Sequence, residues 1–250
     1  LKEINKEKLF SFLREMEFNR LLSSAISKYG EIAFDKKINL KNEFDHKSKI
    51  SSKNYILIND IKSLKIFLKD AEEKGEICID TETTSLNPHN AGLVGVSLST
   101  KIGYACYIPL GHKNYNNLKE IEVLEFLKPI LEDSSIKKIG QNIKFDFIIL
   151  FKRGIEMNSM EDTMLMSYVL DAGKNRHNMD TLSKIHLNHS PISYKDLVGS
   201  GKKQINFSEV GIEDAKKYAA EDADITFRLY KIFYKNLKSE KLVDIYEIFE

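Results

Sequence analysis

The reading of this chain turns on one stretch, Glu76-Ile77-Cys78-Ile79-Asp80-Thr81-Glu82. Glu76–Asp80 has the apolar run of a buried strand, and the acids arrive at its end. Side chains two apart on a strand share a face, so Asp80 and Glu82 converge. Two carboxylates at the edge of a buried strand repel each other and are costly without a cation. All-oxygen ligands of this kind suit Mg²⁺ or Mn²⁺. A solvated strand end is the plain alternative.

Outward from this strand the pattern is regular. Two further strands follow, Gly92–Ser99 and Gly103–Pro109, separated by the turn residues Asn87–Asn90 and Thr100–Gly103. Upstream stand a strand at Tyr55–Ile58 and a helix carrying Leu64, Phe67, Leu68 and Ala71, capped by Asn59 or Asp60. Downstream come a helix over Ile121–Leu131, a short strand at Lys137–Gly140 and a helix over Ile143–Arg153. Helices then dominate, Ile212–Leu237 most clearly. A three-strand meander followed by alternating helices predicts an α/β fold, a mixed central sheet of about five strands flanked by helices.

The N-terminal segment reads differently. Leu9, Phe12, Leu13 and Met16, then Leu21, Leu22, Ala25 and Ile26, predict one amphipathic helix over 4–29 that Gly30 ends. Residues 31–53 are rich in Lys, Asn and Ser and read as a linker. The expected organisation is a helical segment at 1–30, a linker at 31–53 and a domain at 54–250.

Composition narrows the function. The 250 residues are 42% hydrophobic and 10% aromatic, enough for a sizeable core. No apolar run approaches the roughly 18–20 residues of a membrane span. No signal segment follows Leu1, which suggests a piece of a longer or processed chain. Two cysteines, Cys78 and Cys106, exclude a disulfide scaffold and a cysteine zinc site, and fit a reducing compartment. Residues 1–53 hold 12 basic and 8 acidic groups (net +4), and 54–250 hold 26 and 29 (net −3). The larger part is no basic clamp, so metal ions must supply positive charge if it handles phosphate.

Two more acidic signals follow. In Gly140-Gln141-Asn142-Ile143-Lys144-Phe145-Asp146, Asn142 is a good N-cap. Asp146 lies in the first helical turn, where the helix dipole already favours an anion. In Tyr218-Ala219-Ala220-Glu221-Asp222, Tyr218 and Asp222 stand four apart on one helical face with Ala215, Ala219 and Ile225. A carboxylate on that face needs a partner. Glu221 and Asp224 point elsewhere and are expected to be solvated. His186 and His189, with His177, read as surface histidines near a capped helix end. Gly199-Ser200-Gly201-Lys202-Lys203 lacks the phosphate-loop pattern and reads as a flexible loop.

Asp80/Glu82, Asn142-x-x-x-Asp146 and Tyr218-x-x-x-Asp222 together resemble the three motifs of DEDD-type 3′–5′ exonucleases of the tyrosine subclass. The strings DTETTSL, LKPILED, KKIGQNIKFD, EDTMLMSYVL, RHNMDTLS and YAAEDADITFRLY resemble the proofreading domain of bacterial DNA polymerase I (family A) over roughly residues 54–245. KEKLFSFLREMEFNRLL resembles the end of that family's 5′-nuclease domain.

The resemblance implies a ribonuclease H-like fold holding two divalent metals, Mg²⁺ or Mn²⁺, on Asp80, Glu82, Asp146 and Asp222. Asp80 would bridge the ions, Glu82 and Asp222 would complete the site that activates water, and Asp146 would act on the second metal. Tyr218, a phenol with pKa near 10, would orient the attacking water with Glu82. Leu86 would wedge against the terminal bases, Phe207 would stack on a base, and Asn142 would cap a helix or contact a nucleotide. Lys202, Lys203 and Arg176 would meet phosphates or solvent. The implied substrate is a single-stranded or frayed DNA 3′ end. The implied partner is a polymerase domain in the same chain, with no membrane and no small-molecule cofactor. The implied place is the bacterial cytoplasm, at the nucleoid. A non-catalytic spacer and a ribonuclease D-like exoribonuclease are the alternatives.

Overall fold

Residues 4–16, 18–30 and 50–249 are described in a computed structural model of the chain. They form an N-terminal unit and a larger C-terminal one. Most of the expected linker, 31–49, lies outside the described residues.

The N-terminal unit holds two helices, α1 (Lys6–Glu15) and α2 (Asn19–Tyr29), where one was expected. The apolar stripe through Leu13 and Met16 would continue at positions 19 and 20, and Asn19 and Arg20 stand there. The chain turns instead. The Phe18 N–H donates to the Leu13 carbonyl at 2.8 Å, and Lys6 Nζ reaches the Tyr29 carbonyl at 2.5 Å, so α2 runs back along α1. Gly30 ends α2 at φ 82°.

The C-terminal unit is built on a six-stranded sheet. In chain order it comprises β1 (Tyr55–Leu57), α3 (Ile61–Lys74), β2 (Glu76–Thr83), β3 (Leu93–Lys101), β4 (Tyr104–Pro109), α4 (Glu120–Glu132), β5 (Lys137–Gly140), α5 (Lys144–Phe151), β6 (Met160–Asp162), α6 (Thr163–Asp171), α7 (Met179–Leu187), α8 (Tyr194–Val198), α9 (Ile212–Ser239) and α10 (Val243–Phe249). The sheet order is β1-β4-β3-β2-β5-β6. β2, β3 and β4 form an antiparallel meander, and β1, β5 and β6 add in parallel. The sixth strand, β6, has only three residues, too few to show an alternation.

Strand alternation divides the core. Ile77 and Ile79 enter one apolar cluster with Leu64, Phe67, Val123 and Leu127 from α3 and α4. Cys78 enters another with Met166, Leu182, Ile225, Leu229 and Phe233 from α6, α7 and α9. Asp80 and Glu82 are in step with Cys78, so they face the α9 side.

Pairing of β2 with β5 ends at Cys78 opposite Ile139, while pairing with β3 runs on past Asp80. The last part of β2 therefore has one open edge, and the acids sit there. Glu82 stands opposite Gly95. A Cβ at Gly95 would lie 2.2 Å from the Tyr107 hydroxyl oxygen, so glycine makes room for that ring beside Glu82.

Candidate active site

Each acid is delivered by a different element. Asp80 and Glu82 come from the end of β2, Asp222 from the middle of α9, and Asp146 from the first turn of α5. Asp80, Glu82 and Asp222 each bring one carboxylate oxygen within 4.8 Å of the others. Asp146 joins from the open edge of β2. Its Oδ1 accepts from the Thr81 amide at 2.8 Å and from the Thr81 hydroxyl at 2.6 Å. The amide that would have continued the β2–β5 ladder is thus satisfied by a carboxylate.

Burial dominates the electrostatics. It pushes the Asp80 carboxyl up to about 6. It also holds Glu82 well above the usual range, helped by the charges of Asp80, Asp222 and Asp146. Asp146 and Asp222 are raised by burial and then by the Asp80 charge. A cluster of buried and half-buried carboxylates is a cation site by charge, and the hard oxygen donors fit a divalent ion. Tyr218 donates its phenol to Asp222, and burial next to these charges raises its pKa far above the ordinary value.

Asp80, Glu82 and Asp222 line an open cleft of about 540 Å³. Tyr194 and Tyr218 line one side, and Gln204, Ile205 and Asn206 another. Leu86 stands at the lip, 91% exposed. Phe207 departs from the expectation: it is fully buried, so no base can reach its face. Its ring packs against His112, Tyr194 and Tyr218 with centroids 5.9–6.3 Å apart. Tyr194, 39% exposed, is an aromatic that lines the cleft. It was missed because its only signal was an aromatic ahead of a glycine-rich loop.

Asn142 departs as well. It adopts a left-handed conformation, φ 59°, and α5 begins two residues later at Lys144. The turn is capped from outside, by Asp162. This carboxylate accepts the N–H groups of Asn142 (2.9 Å), Ile143 (3.0 Å) and Met164 (2.9 Å). The β5–β6 register sets Asp162 opposite Gly140, which is why its side chain meets that turn. Arg176 and Lys203 are exposed, and the Lys202 side chain lies outside the described residues.

Glu221 and Asp224 are not solvated as expected. Asp224 is fully buried. It accepts from the Tyr55 hydroxyl (2.9 Å), the Gly103 amide (2.6 Å) and Arg228 (3.0 Å), which ties α9 to β1 and to the β3–β4 turn. Glu221 accepts from the Ile192 amide at 2.7 Å and pairs with His189 at 3.0 Å. The wide face of α9 covers much of the sheet, so Glu221 and Asp224 are buried as well as Asp222, and each has its partners. His177 is also buried, bonded to Ser167 at 2.6 Å.

A family model described as a 3′–5′ exonuclease, of the DNA polymerase A type, matches residues 55–238. DNA polymerase I of Rhizobium leguminosarum is 42% identical over 228 residues, covering 83% of this chain and 22% of that protein. DNA polymerase I of Pseudomonas aeruginosa is 36% identical over 247 residues, covering 95% of this chain and 26% of that protein. The chain thus spans about a quarter of the length of these relatives. Among solved structures, Brucella melitensis NrnC superposes with a TM-score of 0.58 at 23% identity, covering 78% of this chain and 86% of that one. The Aedes aegypti Nibbler EXO domain gives 0.59 at 12% identity, covering 79% and 97%. The architecture is the ribonuclease H-like fold of such exonucleases. Among the described residues, no helix is long and apolar enough to cross a membrane.

Proposed function

The chain belongs to the 3′–5′ exonuclease domain family of DNA polymerase I, and we infer from its site that it removes mononucleotides one at a time from single-stranded or frayed DNA 3′ ends. In the longer protein it would edit beside a polymerase domain. The observation that carries this reading is the convergence of Asp80, Glu82 and Asp222 in an open cleft.

We assign the site two divalent cations, Mg²⁺ or Mn²⁺, which when bound neutralise the phosphate, activate the attacking water and stabilise the leaving 3′ oxygen. Asp80, Glu82 and Asp222 would hold the cations together with Asp146. Asp146 has Oδ1 committed to Thr81, so Oδ2 is the oxygen it offers. Tyr218 stays a phenol at any ordinary pH, because burial and three nearby carboxylates oppose its ionisation. Its one proton goes to Asp222, so its oxygen is the atom left to accept from the attacking water, which it orients with Glu82, and it does not act as a base. Leu86 wedges against the terminal bases and Tyr194 offers a ring for stacking, about 1–3 kcal/mol per base and blind to sequence. A DNA substrate puts this work in the bacterial cytoplasm, at the nucleoid.

The test is digestion of a 5′-labelled single-stranded DNA by wild type and Asp80→Ala, with Mg²⁺, Mn²⁺ or EDTA. A ladder shortening one nucleotide at a time, dependent on the cation and lost in the variant, is expected. No cleavage with either cation would falsify the reading and favour a spacer. Faster cleavage of RNA of the same sequence would replace DNA with RNA as the substrate.

A further inference from the structure

Leu86 is almost entirely exposed, so no packing holds its side chain. Its position depends on the backbone that carries it. Locally, Thr84 and Gly92 tie the base of the loop: the Thr84 N–H donates to the Gly92 carbonyl at 3.0 Å, and the Gly92 N–H donates to Thr84 Oγ1 at 2.9 Å. A further bond comes from a distant segment that also lines the cleft. Asn206 Nδ2 donates to the Thr84 carbonyl at 2.8 Å, from 122 residues away.

Asn206 is itself rigidly held. Its Oδ1 accepts the Ser208 N–H at 3.0 Å, and its own N–H donates to Glu209 at 2.9 Å. Glu209 is paired with Lys113 at 2.8 Å. Next to it, Phe207 is fixed in the core. The two ends of one amide therefore do separate things. The oxygen caps a short 3₁₀ turn, and the nitrogen ties that turn to the loop that carries Leu86.

We propose that Asn206 is a positioning residue for the 3′-terminal nucleotide. It is a strut between two segments that line the cleft and sets where Leu86 stands, and the proposal rests on the exonuclease reading for what occupies that cleft. Loss of the strut frees the loop carrying Leu86, and the 3′ end is then gripped less well. The acids are held by other contacts, so turnover once the strand is bound changes little.

Two variants test this. Asn206→Ser keeps an oxygen able to cap the turn but cannot reach Thr84. Asn206→Asp keeps the shape and the cap but removes the donor and adds a negative charge. Three readouts are taken on each: hydrogen exchange of residues 83–92, binding of a 5′-fluorescein oligothymidylate in EDTA, and steady-state digestion of single-stranded DNA. The expected result for Asn206→Ser is faster exchange confined to the 83–92 loop. Binding should weaken and KM rise by about fivefold, the worth of one ordinary hydrogen bond, with kcat within about twofold of wild type. Unchanged exchange in Asn206→Ser overturns the proposal. So does faster exchange with unchanged binding and KM, or weakening in Asn206→Asp alone, which would be charge repulsion. A wild type that binds the oligonucleotide without cleaving it sinks the exonuclease reading. The exchange and binding arms still decide the strut.

Discussion

The amide and the hydroxyl of Thr81 both donate to one oxygen of Asp146, Oδ1, from 65 residues away. A residue between two acids of the β2 motif thus fixes the acid of the α5 motif. Hydrogen bonds to a buried carboxylate are each worth about 1.5–3 kcal/mol. Thr81→Val deletes one and keeps the amide. The expected outcome is a rise of about tenfold in the Mg²⁺ concentration that half-saturates the nuclease, with near-normal response in Thr81→Ser. An unchanged cation titration in Thr81→Val would mean that the amide alone holds Asp146.

The raised carboxyl pKa values make a signed statement about stability. The folded state keeps Asp80 protonated up to about pH 6, against 3.8 for the ordinary group. Glu82, Asp146 and Asp222 are raised too. The folded chain therefore binds more protons than the unfolded chain between these limits, and stability from this source falls as pH rises. In EDTA the melting temperature should drop from pH 5 to pH 8. Mg²⁺ should abolish the drop by favouring the ionised forms. Thermal melts at four pH values with and without Mg²⁺ are sufficient, and a rise in EDTA across this window would contradict the assignment.

Asp80→Asn should separate function from stability. Removing one of four crowded carboxylates relieves repulsion that only a cation otherwise offsets. The variant should melt higher than wild type in EDTA at pH 8 while losing activity by on the order of 10³-fold, the loss of several kcal/mol of charge stabilisation. A lower melting temperature in EDTA would show that the Asp80 carboxylate is structurally satisfied.

Phe207 and Tyr194 should fail in opposite ways. Phe207→Ala empties a fully buried site and should cost about 3–5 kcal/mol of stability, seen in denaturant unfolding. Tyr194→Ala, at a half-exposed position on the cleft, should leave unfolding nearly unchanged. It should weaken binding of single-stranded DNA by roughly tenfold. The reverse pattern would restore the stacking role to Phe207.

What the sequence revealed was what spacing encodes. Asp80 and Glu82 declared a shared face by standing two apart, and Tyr218 and Asp222 by standing four apart. The strands of the meander carried turn residues between them. What escaped was what depends on register between distant segments. β6 is too short to alternate, and only its pairing with β5 brings Asp162 to the turn before α5. Asn142 looked like a cap because its type suits one, yet the cap came from twenty residues further on. Phe207 and Tyr194 are both aromatics flanking one loop, and nothing local says which is buried. Asp224 and Glu221 seemed solvated because a helical wheel shows one buried face, while α9 is covered widely enough to bury more.

The open edge of β2 also bears on the order in which the protein is made. The four acids are contributed by β2, α5 and α9, and α9 is the last of the three to be made. During synthesis the meander and the first helices can form while Asp222 is still unmade. The nascent chain then holds Asp80, Glu82 and Asp146 without the helix that closes over them. The convergence of Asp80, Glu82 and Asp222 is thus a late event that waits for α9 to dock.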